Sequence, residues 1–141
     1  MSDSNDLALT RPLRIVRSFV LRQGRETPSQ KRAFEQFWSV YGLEYTASVL
    51  DFNQIFDNSN STVIEIGFGN AEQLLFSAER ETEKNFIGIE VHAPGVGRAL
   101  NGIVQSNLSN IRVYQHDAVE VLRNKIADGT LDEVRIYFPD T

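Results

Sequence analysis

Four carboxylate residues stand at or near the ends of short apolar segments of this 141-residue chain, and they are its best candidates for chemistry. They are Glu65, Glu90, Asp117 and Asp140. Ionised carboxylates accept hydrogen bonds from the hydroxyl and amino groups of a ligand. If the four segments are parallel strands, their carboxyl ends meet at one edge of a sheet, where α/β proteins bind ligands. These residues therefore predict a single binding site.

A turn with two glycines follows the first apolar segment, in the string Glu-Ile-Gly-Phe-Gly-Asn-Ala (65–71). Glycine lets a ligand approach the backbone closely, although a short turn also uses glycine for its conformation alone. A dinucleotide fingerprint would place a small residue at position 72, where this chain has Glu72, and a glutamate opposite a pyrophosphate is unfavourable. S-Adenosylmethionine has no phosphate and carries positive charge on its amino group and sulfonium, so acidic surroundings fit it. The string predicts a site for this cofactor that includes Glu65, Gly67 and Gly69.

Glu90 and Asp117 extend the predicted site. Glu90 ends the second apolar segment, 23 residues after Gly67, and an acid in this place can accept both hydroxyls of a ribose. The alternative is a solvated glutamate at a strand end. We expect Asp117 to accept from the adenine amino group while the backbone N–H of Ala118 meets the ring nitrogen. Asp117 can also cap the next helix through its carboxylate, and both roles can coexist.

Asp140 is the candidate catalytic residue. It closes the fourth segment in the string Phe-Pro-Asp (138–140), where we expect it to hold the N–H groups of a methyl acceptor. The alternative is a turn residue after Pro139. The chain has no cysteine and only two histidines, which argues against a metal site. We assign no chemistry to His116.

Short apolar runs alternate with amphipathic stretches, a pattern typical of an α/β fold. A first helix is predicted to begin at the cap residue Thr27 and to end at Gly42. Its aromatic residues have helical spacing; a base-stacking platform is the alternative, and we expect packing on a core. After a turn-rich break at 57–61, strands are predicted at 63–66, 86–90, 111–114 and 134–138, with helices at 71–82, 94–108 and 118–126. This order predicts about four parallel strands in an open sheet with flanking helices.

Charge is distributed unevenly along the chain, whose net charge is −5. Residues 11–32 carry seven basic side chains and one acid, whereas residues 33–141 carry 7 basic and 16 acidic side chains. We therefore expect a basic N-terminal arm (1–27) that contacts nucleic-acid phosphates, followed by one domain (28–141). A solvated surface arm is the alternative.

The sequence offers no membrane or secretion signal. No apolar run approaches the roughly 18 residues that a membrane-spanning helix needs, and the first ten residues are polar and acidic, unlike a signal peptide. We expect a cytoplasmic protein.

Several strings together resemble the bacterial tRNA (guanine-N(7)-)-methyltransferase family. They are Arg-Ser-Phe-Val (17–20), Gly-Arg-Glu-Thr (24–27), Glu-Ile-Gly-Phe-Gly (65–69), Phe-Ile-Gly-Ile-Glu-Val-His (86–92), Pro-Gly-Val-Gly (94–97), His-Asp-Ala-Val-Glu-Val-Leu (116–122) and Phe-Pro-Asp (138–140). The resemblance implies a class I, Rossmann-like methyltransferase fold and methyl transfer from S-adenosylmethionine to a guanosine in the tRNA variable loop. It also implies that Glu65, Glu90 and Asp117 bind the cofactor and that Asp140 serves both cofactor and acceptor.

The sequence departs from the family pattern at two positions. Ala71 stands where a third glycine is usual, and Thr141 stands where the family continues with Pro-Trp and a run rich in Lys, Arg and His. We therefore expect a partial fold, truncated after the Phe-Pro-Asp motif, with tRNA bound through the basic arm and the family's C-terminal part. Two functions stay open at this point: a tRNA methyltransferase, and a non-catalytic module that binds S-adenosylmethionine or a partner protein.

Overall fold

The computed structural model describes residues 27–136, and the fold is built on one parallel sheet. In chain order the elements are α1 (Pro28–Tyr41), α2 (Phe52–Phe56), β1 (Thr62–Ile66), α3 (Glu72–Arg80), β2 (Asn85–Glu90), α4 (Ala93–Gln105), β3 (Ile111–Gln115), α5 (Ala118–Lys125) and β4 (Glu133–Ile136). The strand order is β3-β2-β1-β4, and every pairing is parallel. The predicted four-stranded parallel sheet with flanking helices is confirmed.

The strand order fixes where a ligand crevice can form. From β1 the chain moves outward to β2 and β3, and it then returns to the other side of β1 to form β4. In open α/β sheets the crevice lies outside the carboxyl ends of the strands, at the place where the direction of winding reverses. Here that place is the carboxyl end of β1, where the turn at residues 67–71 begins.

Helices cover both faces of the sheet, and each face has its own apolar cluster. α1, α3 and α4 cover one face, with Leu74, Phe86 and Leu100 fully buried beneath them. α2 and α5 lie on the other face, over Ile64 and Ile87. β2 is buried along its whole length, as expected for a central strand with both faces covered.

The boundaries of α1 agree with the sequence signals. Thr27 and Gln30 form a reciprocal capping box, with distances of 3.1 Å and 3.0 Å between the side chain of each and the backbone nitrogen of the other. At the other end, the N–H of Gly42 donates to the carbonyl of Trp38. The aromatic side chains of α1 pack against the core under α3 and α4, as predicted, and they are Phe34, Phe37, Trp38 and Tyr41.

Three features of the helices differ from the predictions. The short helix α2 is unpredicted; Asp51 caps it, and Phe52 and Phe56 anchor it to the core. The predicted helix from residue 71 begins one residue later, because Ala71 has a left-handed conformation with φ of 71°. The predicted helix 94–108 ends at Gln105, because Asn107 is left-handed with φ of 55°.

Across residues 27–136, no helix is long and apolar enough to span a bilayer.

Candidate functional site

The turn between β1 and α3 has the conformation that its glycines suggest. Gly67 and Gly69 have positive φ values of 69° and 59°, in the left-handed region that glycine adopts without steric cost. The N–H of Gly67 donates to the carbonyl of Ile89 on β2 at 2.8 Å, which ties the turn to the neighbouring strand. A Cβ on Gly69 would meet no atom within 4 Å, so the space beside this residue is open. The turn can therefore accept a ligand against its backbone.

Ala71 occupies the position of the usual third glycine and has the backbone conformation that favours glycine. Its φ of 71° is left-handed, and its side chain is fully buried in the core. An L-residue with a Cβ pays roughly 1–2 kcal/mol in this conformation, whereas glycine does not. The replacement of glycine by Ala71 therefore introduces backbone strain at the start of α3.

Glu90 lies directly beside the glycine turn. Its Oε1 accepts the N–H of Gly69 at 2.7 Å, and its Oε2 accepts the N–H groups of Val91 and His92 at 3.2 Å and 3.3 Å. Nδ1 of His92 lies 3.2 Å from the same Oε2. The carboxylate is 5% exposed, so the alternative of a solvated strand-end glutamate is wrong. Glu90 joins the β1–α3 turn to the turn between β2 and α4.

Glu65 is placed differently from the other predicted site residues. Its side chain is fully buried within β1, between Gly88 of β2 and Arg135 of β4 in the register of the sheet. Oε2 of Glu65 lies 3.6 Å from Nη1 of Arg135. Glu65 is the penultimate residue of β1, and the structure places it beside a cation on β4.

Arg135 is the centre of a charged cluster at this side of the sheet. It donates to both oxygens of Glu81 at 3.2 Å and 3.3 Å and to both oxygens of Glu133 at 2.6 Å and 3.3 Å. Lys84 lies 3.1 Å from Glu81. The hydrogen bonds from Arg135 hold the pKa of both glutamates below the usual range and raise the pKa of Arg135. The cluster clamps β4 to the end of α3.

Asp117 is the N-terminal cap of α5, which is one of the two roles expected for it. Its Oδ1 accepts the N–H of Val119 at 2.9 Å, and the residue is 4% exposed. Ala118 is the first residue of the helix. The N–H of His116 donates to the carbonyl of Glu90, which places the ends of β2 and β3 side by side. Asp117 is thus on the neighbouring strand end to Glu90.

The string Pro-Gly-Val-Gly (94–97) contributes to the site in a way that the sequence reasoning missed. A Cβ on Gly95 would lie 2.1 Å from the carbonyl oxygen of Gly69, so the first turn of α4 packs directly on the glycine turn. A Cβ on Gly97 would lie 2.7 Å from Cβ of Gln30, where α4 meets α1. The sequence held a signal for this packing, since two glycines within the first five residues of a helix are costly unless another backbone approaches closely.

Three predictions fall wholly or partly outside the described residues. They are the role of Asp140, the basic arm up to Glu26 and the end of the fourth strand at residues 137–138. Among residues 27–136, no group of three or more His, Asp or Glu side chains is arranged to hold a metal ion.

Comparison with known proteins assigns the chain to a family. The family model described as "Putative methyltransferase" matches residues 59–141, more than half of the chain. The chain belongs to this methyltransferase family. The match begins just before β1 and includes the glycine turn, Glu90 and Asp117.

The chain is also similar to curated proteins of two bacterial genera. A protein of Xanthomonas campestris pv. campestris (strain 8004) named tRNA (guanine-N(7)-)-methyltransferase is 56% identical over 127 residues, covering 90% of this chain and 49% of the relative. A protein of the same name from Xylella fastidiosa (strain M12) is 53% identical over 127 residues, covering 90% of this chain and 52% of the relative. The chain therefore spans about half the length of the curated relatives it matches.

Among solved structures, coclaurine N-methyltransferase bound to N-methylheliamine and SAH aligns with 74% of this chain and 43% of its own, at 12% identity and a TM-score of 0.39.

Proposed function

We propose that this chain carries the cofactor-binding part of an S-adenosylmethionine-dependent tRNA (guanine-N(7)-)-methyltransferase. The observation that supports this most is the contact between Glu90 and the N–H of Gly69, within a glycine turn at the carboxyl end of β1. Membership of the methyltransferase family supports methyl transfer as the reaction. The names of the relatives that are 53–56% identical support tRNA as the substrate.

The residues of the turn fit the proposed cofactor. The open space beside Gly69 leaves room for a ligand against the backbone. Glu72 stands in the first turn of α3, where it would repel a phosphate, whereas a cationic sulfonium and amino group are attracted to the carboxylates of Glu72 and Glu90. Glu90 and Asp117, on adjacent strand ends, would hold the ribose and the adenine. Glu65 would contribute to the cofactor site from within β1, where Arg135 balances its negative charge.

The chemistry asks little of the protein beyond positioning. When bound, S-adenosylmethionine supplies an electrophilic methyl group on a cationic sulfur. The N7 nitrogen of guanine has a lone pair and no hydrogen, so no general base has to remove a proton before attack. The protein therefore has to align donor and acceptor and to tolerate positive charge as it moves to guanine. We propose that Asp140 does both, by accepting the N–H groups of the guanine.

Calorimetry on the 141-residue chain tests the cofactor site. We expect S-adenosylmethionine to bind, and we expect Glu90→Ala to weaken binding at least tenfold, because the variant loses both the ribose acceptor and the anchor of the glycine turn. Glu79→Ala, an exposed change on α3, is the matched control. Absence of binding by the wild-type chain would contradict the proposal.

A methyl-transfer assay on unmodified tRNA tests the reaction. Transfer to guanosine N7 in the variable loop supports the full proposal. For Asp140, the test is Asp140→Ala in an enzyme of the full length of the relatives, where we expect turnover to be lost while cofactor affinity is partly kept. Near-normal turnover of that variant would refute the role of Asp140.

A non-catalytic module is the second candidate, and one observation favours it. Val134 and Ile136 of β4, at the edge of the described sheet, are 41% and 53% exposed. Exposed apolar side chains on an edge strand invite association with another polypeptide. Cofactor binding without methyl transfer by the 141-residue chain would support this candidate.

A further inference from the structure

His92 contacts the proposed ribose acceptor, although no motif assigned it a role. It precedes α4 at the N-cap position, yet its side chain makes no capping hydrogen bond. The ring instead turns toward Glu90, with Nδ1 3.2 Å from Oε2. The side chain of His92 is 31% exposed, whereas that of Glu90 is 5% exposed. His92 is therefore the more accessible member of a contact within the proposed cofactor site.

The hydrogen-bonding capacity of Glu90 is largely used by the protein itself. A carboxylate oxygen has two lone pairs. Oε2 already accepts the N–H groups of Val91 and His92, and Nδ1 of His92 lies 3.2 Å from it. Oε1 accepts only the N–H of Gly69. One lone pair of Oε1 is left, whereas a ribose diol brings two O–H donors.

The second ring nitrogen of His92 offers the missing acceptor. Nδ1 of His92 lies beside a carboxylate oxygen, and in the tautomer that carries its proton on Nδ1 the other ring nitrogen, Nε2, is an acceptor. Nε2 is buried and has no hydrogen-bond partner within residues 27–136. A buried acceptor without a donor is costly, so such an atom marks a place where a donor is expected.

We propose that Glu90 and His92 divide the ribose diol between them, with Oε1 of Glu90 accepting one hydroxyl and Nε2 of His92 the other. The inference rests on the proposed S-adenosylmethionine site and adds to it a cofactor-binding residue. Recognition of both hydroxyls would make the site selective for a ribose over a deoxyribose.

The test measures binding of S-adenosylhomocysteine and of its 2′-deoxy and 3′-deoxy analogues by calorimetry. His92→Phe keeps the ring and removes both nitrogens, while His92→Asn keeps a donor toward Glu90 and has no acceptor at the place of Nε2. We expect both variants to bind S-adenosylhomocysteine about tenfold more weakly. With the analogue that lacks the hydroxyl bound by His92, we expect the variants and the wild type to bind equally.

His116→Phe is the matched control, because His116 also follows a strand and also pairs with a glutamate, Glu120, through Nε2 at 2.7 Å. Phenylalanine keeps the stack on Tyr45, and we expect no penalty that depends on the ribose hydroxyls. An equal penalty for all three ligands, or wild-type affinity of His92→Asn, overturns this inference alone. Failure of the wild-type chain to bind S-adenosylhomocysteine overturns the proposed function and this inference with it.

Discussion

The carbonyl oxygen of Gly69 lies so close to the first turn of α4 that a Cβ on Gly95 would be 2.1 Å from it. The same residue, Gly69, donates its N–H to Glu90. The backbone of the glycine turn is therefore held from two sides by the segment that follows β2. Any side chain at position 95 must push the turn away from Glu90.

Gly95→Ala is expected to weaken S-adenosylmethionine binding by at least tenfold, because the added methyl displaces the Gly69 carbonyl. Calorimetry measures the change. Gly97→Ala is the matched control, since its methyl would collide with Gln30 of α1 instead, away from the turn. Both variants lose thermal stability, and only Gly95→Ala should lose affinity. Equal affinity losses in the two variants would show that the turn is not specifically affected.

Ala71→Gly is expected to raise the free energy of unfolding by up to about 1 kcal/mol, because it removes the cost of a left-handed alanine. Urea denaturation followed by circular dichroism measures the difference. In contrast, Ala78→Gly, at a fully buried position inside α3, should lower the free energy of unfolding by about 1 kcal/mol or more. Destabilisation of the same size in both variants would contradict the strain at Ala71.

Arg135→Met is expected to lower the free energy of unfolding by about 3 kcal/mol, because it leaves the fully buried carboxylate of Glu65 without its 3.6 Å cation. Urea denaturation measures this loss. The double variant Glu65→Leu, Arg135→Met removes both charges and should recover most of the stability. If the double variant is no more stable than Arg135→Met, the loss comes from the packing of Arg135 or from its hydrogen bonds to Glu81 and Glu133, and not from the pair with Glu65.

Stability is expected to fall on acidification because the hydrogen bonds from Arg135 lower the pKa of Glu81 and Glu133 in the folded state. A lowered pKa means that the stabilisation is complete above the ordinary glutamate value of about 4.3. It is lost as the pH falls through the lower folded values. Urea denaturation between about pH 6 and pH 3 measures the slope.

Arg135→Met should flatten this slope, since neither glutamate then has its principal partner. Arg80→Met is the control, because Arg80 has no ion pair among the described residues and its guanidinium instead lies over the ring of Phe76. An unchanged acid slope in Arg135→Met would show that other carboxylates cause it.

Deletion of residues 1–26 is expected to weaken tRNA binding and to reduce the salt dependence of the affinity, while affinity for S-adenosylmethionine stays constant. The deleted arm contains five arginines, and each phosphate contact contributes roughly 0.7 to 0.9 to the slope of log affinity against log salt. Replacing the five arginines by glutamine keeps the length of the chain and should have the same effect. Equal tRNA affinity with and without the arm would refute its role.

Local signals in the sequence were sufficient for most elements. Capping residues, apolar periodicity and turn residues act within a few positions, so the bounds of α1 and of β1, β2 and β3 were predicted to within one residue. α2 was missed because its five residues are too short for periodicity, and tertiary contacts of Phe52 and Phe56 hold it. The start of α3 was misplaced because an alanine rarely adopts the left-handed conformation found at Ala71.

The sequence by itself determined the parallel sheet, the glycine turn and the placement of Glu90 and Asp117 at strand ends, because these depend on local pattern and on the rules of strand connection. Only the tertiary structure decided that Glu65 pairs with Arg135, that Gly95 packs on Gly69 and that Oε2 of Glu90 is shared with His92. These contacts depend on strand order and on the direction of individual side chains. Residues far apart in the chain become neighbours when β4 returns to β1, and no local pattern records that return.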